Sequence, residues 1–282
     1  MNRGSSFRNR PLDSEQWHLV ITPPSSGFRN MAVDEAILLC YNKGLVPPTL
    51  RFYSWEPPCL SIGYFQSVVK GIQVESCLKM GIDLVRRPTG GRALLHQDEL
   101  TYSLVCSSAH PRTGGSVVES YRTISQGILA GLRLLGVDAI ALPRRRRGAR
   151  PNSESCFATV SHYEITVQGR KLVGSAQLRR DGALLQQGSI PFVFDAMVLA
   201  CLLRQQEGHP LTRQDLSTHS ISLNEARAEP SQWQEVAQAL KNGFEEALGI
   251  SLVESSLTED EEEVARELER TKYATAEWNF RR

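Results

Sequence analysis

The sequence predicts an α+β fold. Three strand-like segments in mid-chain, Ser161 to Val167, Lys171 to Gln177 and Ala183 to Ile190, follow one another through tight turns as antiparallel neighbours. The helical patterns lie between and after the strands instead of alternating with them in a βαβ rhythm. With 282 residues, 41% hydrophobic and 22% charged, the chain has apolar material for one large core, alone or with a small appendage. Collagen, coiled coil and an unfolded chain are excluded on the same numbers.

In chain order, residues 1–16 are expected as a mobile leader and Trp17 to Thr22 as the first strand. Asn30 is the expected N-cap of a helix to about Asn42, whose apolar face is Met31, Val33, Ala36, Ile37 and Cys40. Leu50 to Ser54 and Cys59 to Ile62 read as short strands around a Pro-Pro turn. A helix over Val68 to Met80 ends at Gly81, and a strand, Asp83 to Arg87, follows. Pro88 to Asp98 reads as a loop and Leu100 to Cys106 as a half-buried strand. The longest helical pattern is Val117 to Leu135, and the arginine-rich run Pro143 to Ser155 is too polar for a core. The mid-chain strands turn at Gln168-Gly169 and at Arg180-Asp181-Gly182, and helices are expected near Asp195 to Arg204, Ser231 to Leu248 and Glu259 to Glu269.

The 32 lysines and arginines nearly cancel the 31 acidic residues, so no global field favours nucleic acid or an anionic bilayer. No apolar run reaches the roughly 18 residues needed to span a membrane, and the basic start, Met1 to Arg10, lacks the apolar stretch of a secretory signal. The six cysteines show neither C-x-x-C nor Cys/His spacing, so no metal is expected. A cytoplasmic chain with reduced thiols follows.

Four clusters could carry chemistry. Arg86-Arg87-Pro88-Thr89-Gly90-Gly91-Arg92 combines glycines with planar guanidinium forks, which suits either an anion cradle or a solvated turn. Gly169 to Gln177 places Lys171 on a strand, where its ammonium either snorkels to water or polarises a carbonyl in a cleft. Cys156 alone among the cysteines adjoins a long polar loop, as a small hydrophobe or as a nucleophile helped by Lys171 or His162. Arg144 to Arg147 with Arg150 form a basic loop that suits an acidic protein better than single-stranded nucleic acid, since no aromatics are interleaved.

The order of these clusters resembles the lipoate-protein ligase A and biotin ligase catalytic-domain superfamily, nearest to its octanoyl-[acyl-carrier-protein]:protein N-octanoyltransferase branch. The matching stretches are NMAVDEAI (30–37), LRFYSWEPPCLSIGYFQ (50–66), RRPTGGRALLHQDELTYSL (86–104), ESCFATVSHYEITVQGRKLVGSAQ (154–177) and TKYATAEWN (271–279). The resemblance implies a mixed, largely antiparallel sheet flanked by helices, a catalytic domain over 17–255 and a helical extension over 256–282 packed on it. It implies no cofactor, and transfer of an octanoyl group from acyl carrier protein to a lysine of a lipoyl domain such as the glycine cleavage H protein. Cys156 would carry the acyl thioester and Lys171, fifteen residues later, would lower its pKa. Substrate contacts are implied for Arg86, Arg87, Gly90, Gly91, Arg92, His96, His162, Gly174, Ser175, Ala176 and Gln177.

An ATP-using ligase of this superfamily is expected to have a third glycine at Arg92, a Gly-Asn where Glu99-Leu100-Thr101 stands, and an Asn-Asp pair near Cys156. These departures favour the transferase over a lipoate or octanoate ligase. An octanoyl amidotransferase working between lipoyl domains would use the same Cys and Lys, and a non-catalytic binding module remains the reading of a different class.

Overall fold

The computed structural model describes residues 15–142, 164–204 and 213–281. The strands are β1 (Glu15–Ile21), β2 (Thr49–Tyr53), β3 (Cys59–Ile62), β4 (Asp83–Arg86), β5 (Leu94–His96), β6 (Glu99–Ser107), β7 (Ile140–Leu142), β8 (Glu164–Val167), β9 (Arg170–Arg180), β10 (Ala183–Pro191) and β11 (Ile250–Ser255). The helices are α1 (Gly27–Asn42), α2 (Val68–Gly71), α3 (Val74–Lys79), α4 (Val117–Leu134), α5 (Ala196–Leu202), α6 (Arg213–His219), α7 (Leu223–Arg227), α8 (Trp233–Leu248), α9 (Glu259–Leu268) and α10 (Ala276–Asn279). A π-helical turn, Glu269–Tyr273, joins the last two.

An eight-stranded sheet runs β11-β1-β2-β6-β10-β9-β8-β7, and a smaller one runs β4-β3-β5. Only β1 pairs in parallel within the large sheet, with β11 and β2; its other pairings are antiparallel. This is the mixed, largely antiparallel α+β architecture expected. One face packs on α4 and α8 through Leu104, Ile124, Ile128, Leu240 and Phe244. Helix α1 covers the other face near Val105 and Leu185, and Ala265 of α9 packs into that same cluster. The small sheet has its own core with α2, α3 and α5.

The two-residue hairpin between β8 and β9 follows from its turn chemistry: Gln168 and Gly169 have φ of 51° and 78°, the twist that matches paired strands. Asp181 and Gly182 repeat the device between β9 and β10.

Several expectations are corrected. Helix α1 starts at Gly27, capped by the Ser26 hydroxyl, because the buried Asn30 amide donates to the Ser25 and Ser54 carbonyls instead. The single helix over Val68 to Met80 is two short ones, since Ile72 bridges to Leu203 and the Gln73 N–H donates to the Leu202 carbonyl. The loop Pro88 to Asp98 contains β5, paired with β3. β6 is buried on both faces rather than one, being central in the sheet and covered by helices on each side. Glu15 and Gln16, placed in the leader, belong to β1. The basic loop at 144–147, Cys156 and His162 lie outside the described residues.

A buried polar node holds α1 to the sheet. Asp34 accepts from Arg51 Nη1 (2.7 Å), Tyr53 Oη (2.8 Å), Ser103 Oγ (2.7 Å) and Gln187 Nε2 (2.6 Å). Both members of its ion pair are buried, so removing one strands the other charge. Asp34→Ala is expected to cost about 3–5 kcal/mol, read as a lowered urea midpoint.

Candidate active site

Lys171 sits where β9 leaves regular pairing. Thr166 faces Lys171 while Ile165 faces Val173, so one extra residue of β9, Leu172, is accommodated as a bulge. Bulges turn side chains out of strand alternation. On its other side Lys171 bridges to Ser220, and its carbonyl accepts from the Ile221 N–H (2.9 Å). The residue is 3% exposed, and its ammonium donates to Glu164 Oε1 at 2.6 Å. It also lies beside Gly174: a Cβ added there would sit 3.6 Å from Nζ. A buried, paired cation fixed against the backbone of its own strand is suited to electrostatic work on a neighbouring group.

Gly174, Ser175 and Ala176 line a pocket between α1, the two sheets and the Arg87–Leu94 loop. Its walls include Met31, Tyr53, Trp55, Leu94, His96 and Thr101, and it holds about 390 Å³ of empty space with its mouth included. Its largest walls are apolar or aromatic, as the linings of small-ligand sites commonly are.

Polar groups at the pocket are bonded to one another. His96 stacks on Trp55 (centroids 4.0 Å apart), its Nδ1 is 2.7 Å from Glu99 Oε1, and its Nε2 is 2.7 Å from Ser61 Oγ. Arg87 Nη1 donates to that same Ser61 oxygen (2.9 Å). One assignment consistent with these contacts has Ser61 donating to Nε2 and the imidazole Nδ1–H donating to Glu99. Glu99 also accepts from Thr101 and from Ser189 Oγ (2.6 Å), and Trp55 Nε1 donates to Thr101 Oγ1 (2.7 Å). The imidazole and the indole are thereby held in one orientation.

Of the residues expected at the site, the structure brings Arg87, His96, Gly174, Ser175 and Ala176 to this pocket, with Lys171 behind Gly174. Arg86 does not line it. Its guanidinium is wholly buried and donates to the carbonyls of Gly63, Tyr64, Gln66, Trp278 and Asn279. Gly90, Gly91 and Arg92 form the loop that Arg87 ties together through the Gly90 and Arg92 carbonyls, and they stand outside the lining. The packing demand falls on Gly63, where a Cβ would lie 2.0 Å from the Gly91 carbonyl oxygen, so the two loops meet backbone to backbone; Gly91 itself has a φ of 95°. Gln177 turns to the opposite face, toward Ser120 and Gln186.

Sequence reading missed Glu164, which lies diagonally across the hairpin from Lys171, two residues before the direct partner of Lys171, Thr166. It also missed Asp34, whose sign was a carboxylate within an apolar helical run. Ser61, Thr101, Gln187 and Ser189 carried no such signal, because only the sheet register gathers them.

The described cysteines other than Cys201 are buried. Burial pushes the Cys77 thiol up to about 11 and the Cys106 thiol up to about 12, and drives Cys59 well above the ordinary range. Thiols of this kind are inert near neutral pH. Among the described residues, no helix is long and apolar enough to cross a membrane, and no three His, Cys, Asp or Glu side chains gather as a metal site.

Comparison with known proteins places the chain in a family. The Lipoyl protein ligase A/B catalytic domain matches residues 26–245. Octanoyltransferase LipM of Kyrpidia tusciae is 46% identical over 274 residues, spanning 95% of this chain and 100% of the relative. Octanoyltransferase LipM of Bacillus subtilis (strain 168) is 40% identical over 278 residues, 96% and 100% of the two chains. Among solved structures, a lipoate-protein ligase A bound with ATP superimposes with a TM-score of 0.76 at 30% identity, covering 95% of this chain and 98% of that one. A putative lipoate protein ligase from T. acidophilum with bound lipoic acid gives a TM-score of 0.75 at 29% identity, over 95% and 100% of the two chains. The chain belongs to the lipoyl protein ligase A/B catalytic-domain family and is an acyltransferase.

Proposed function

We propose that this protein moves an octanoyl group from octanoyl-acyl carrier protein to one lysine of a lipoyl domain, such as the glycine cleavage H protein, in the cytoplasm during lipoate synthesis. The observation that carries this reading is the buried Lys171 ammonium, fixed by the β9 bulge beside Gly174 of an apolar pocket. Relatives 40–46% identical over nearly their whole length are octanoyltransferases, which favours transfer over ATP-dependent ligation.

In the first half-reaction the Cys156 thiolate attacks the donor thioester. A new C–S bond forms, the carrier's C–S bond breaks, and the carrier leaves as a thiolate that takes up a proton. In the second, the neutral acceptor amine attacks the acyl-enzyme, an amide C–N bond forms as the Cys156 C–S bond breaks, and the proton lost by the amine returns to the Cys156 sulfur. Thioester exchanged for thioester changes little energy, so the acyl group stays reactive toward the amine without ATP. The Lys171 ammonium favours the thiolate and stabilises charge on the acyl oxygen.

The test is intact mass after mixing with octanoyl-acyl carrier protein, with and without ATP. The expected result is one octanoyl adduct on Cys156, formed without ATP and discharged by a lipoyl domain. An adduct that requires octanoate and ATP, or no adduct on Cys156, would refute the reading. Octanoyl-lipoyl domain offered as donor separates the amidotransferase. Alkylation at pH 7 gives a matching check: Cys156 is expected to react before any other thiol, while Cys59, Cys77 and Cys106 stay unlabelled until the chain unfolds.

A further inference from the structure

The stretch TKYATAEWN at 271–279 has no part in the chemistry above, yet its side chains reach Arg86, the residue before the pocket-lining Arg87. β4 is an edge strand of the small sheet, so its open side needs partners from elsewhere. Asn279 supplies one: its Oδ1 accepts from the Arg86 N–H at 2.7 Å, and its carbonyl accepts from Arg86 Nη2 at 3.0 Å. Trp278 closes the opposite polarity, its Nε1 donating to the Arg86 carbonyl (2.8 Å) while its own carbonyl accepts from Arg86 Nε (3.2 Å).

Both residues are themselves held. Asn279 is 3% exposed, and its amide donates to the carbonyls of Tyr273 (2.8 Å) and Thr275 (3.0 Å). The Trp278 ring lies between Lys272 Nζ and the Arg281 guanidinium, each 4.0 Å from its centroid, and Arg281 also covers Tyr64. At its other end the segment is anchored to α1, where Glu35 accepts from Lys272 (2.5 Å) and from the buried Tyr273 hydroxyl (2.6 Å). Glu35 adjoins Asp34, the node that reaches the pocket residue Gln187.

We propose that residues 272–281 are a strap whose Asn279 and Trp278 are positioning residues: they hold Arg86, and through it set the Arg87–Arg92 loop against the pocket lined by Arg87, His96 and Gly174, where the acyl chain would lie. The next residue, Arg87, fixes Ser61 and the Gly90 and Arg92 carbonyls, so a shift at Arg86 passes directly to the pocket wall. Gly90 and Gly91 make the loop costly to order, which is why an external clasp matters. The kinetic part of this inference rests on the proposed octanoyl transfer.

The test compares wild type with Asn279→Ala and Trp278→Phe, the latter keeping the ring and removing one hydrogen bond. Backbone hydrogen exchange, read without substrate, is expected to quicken at least tenfold over residues 86–92 in Asn279→Ala, and less in Trp278→Phe, with β6 and β10 unchanged. The donor kcat/KM is expected to fall about tenfold in Asn279→Ala. The acceptor kcat/KM should stay within twofold, because the acyl chain is already covalently placed when the acceptor arrives. Unchanged exchange at 86–92, exchange quickened everywhere alike, or equal loss for donor and acceptor would overturn the strap. Should Asn279→Ala not fold, Trp278→Phe decides by the same readings. A wild-type chain that transfers no octanoyl group refutes the reaction instead, and exchange alone then decides the strap.

Discussion

Lys171→Met is expected to lower octanoyl transfer by about 10²–10³-fold, the usual cost of removing one preorganised electrostatic group from a site. It is also expected to destabilise the fold by about 3–5 kcal/mol, because the Glu164 carboxylate stays buried without its cation. The two effects are separable. Replacing the whole ion pair, Lys171→Met with Glu164→Leu, should recover most of the stability, since apolar residues of similar volume commonly substitute for a buried pair. It should recover none of the activity. Urea midpoints and single-turnover rates on the three proteins give the answer; activity that returns with stability would make Lys171 a structural residue.

The second large effect is expected at Trp55. It is 6% exposed and stands between the pocket lined by His96 and Gly174 and a wider groove lined by Pro23, Pro24, Phe192 and Trp233, and it contributes to both walls. Trp55→Ala removes the stacking on His96 and the donor to Thr101, and is expected to cost about 3–5 kcal/mol. It also joins the two spaces. Each further methylene buried in the opened wall is worth about 0.8 kcal/mol, so two of them amount to roughly a tenfold gain. The decanoyl-to-octanoyl ratio of kcat/KM should therefore rise about tenfold in Trp55→Ala, measured with the two acyl donors side by side. An unchanged ratio would mean that Trp55 does not bound the acyl chain.

Much of the fold was legible because its signals are local. The hairpin turns at Gln168-Gly169 and Asp181-Gly182, and the apolar periodicity that marks α4, lie within a few residues of what they decide. What escaped was decided at a distance. Helix α2 ends where Ile72 finds Leu203, β5 exists because β3 offers an edge, and β11 forms against β1. The site divides in the same way. His96 and Lys171 were legible as chemistry-bearing side chains in a resembling order of motifs. Arg86 looked like their equal, but its role is set by carbonyls from Gly63 and Asn279 that only tertiary structure brings near. Glu164 was overlooked because a strand's acidic residue normally faces water, whereas here it shares the buried face of Thr166, the residue opposite Lys171, and pairs with the ammonium.

The parallel pairing of β1 with β11 has a consequence for how the protein is made. β8, β9 and β10 can zip up from tight turns while the chain is still being synthesised, but Glu15 must wait for Ile250, and Glu35 for Tyr273, before the sheet edge and α1 are covered. Until then the apolar side chains of β1, Trp17 and Leu19 among them, have lost part of their cover. The nascent protein therefore passes through a long interval with sticky surface near its start, the condition under which chaperones are most needed.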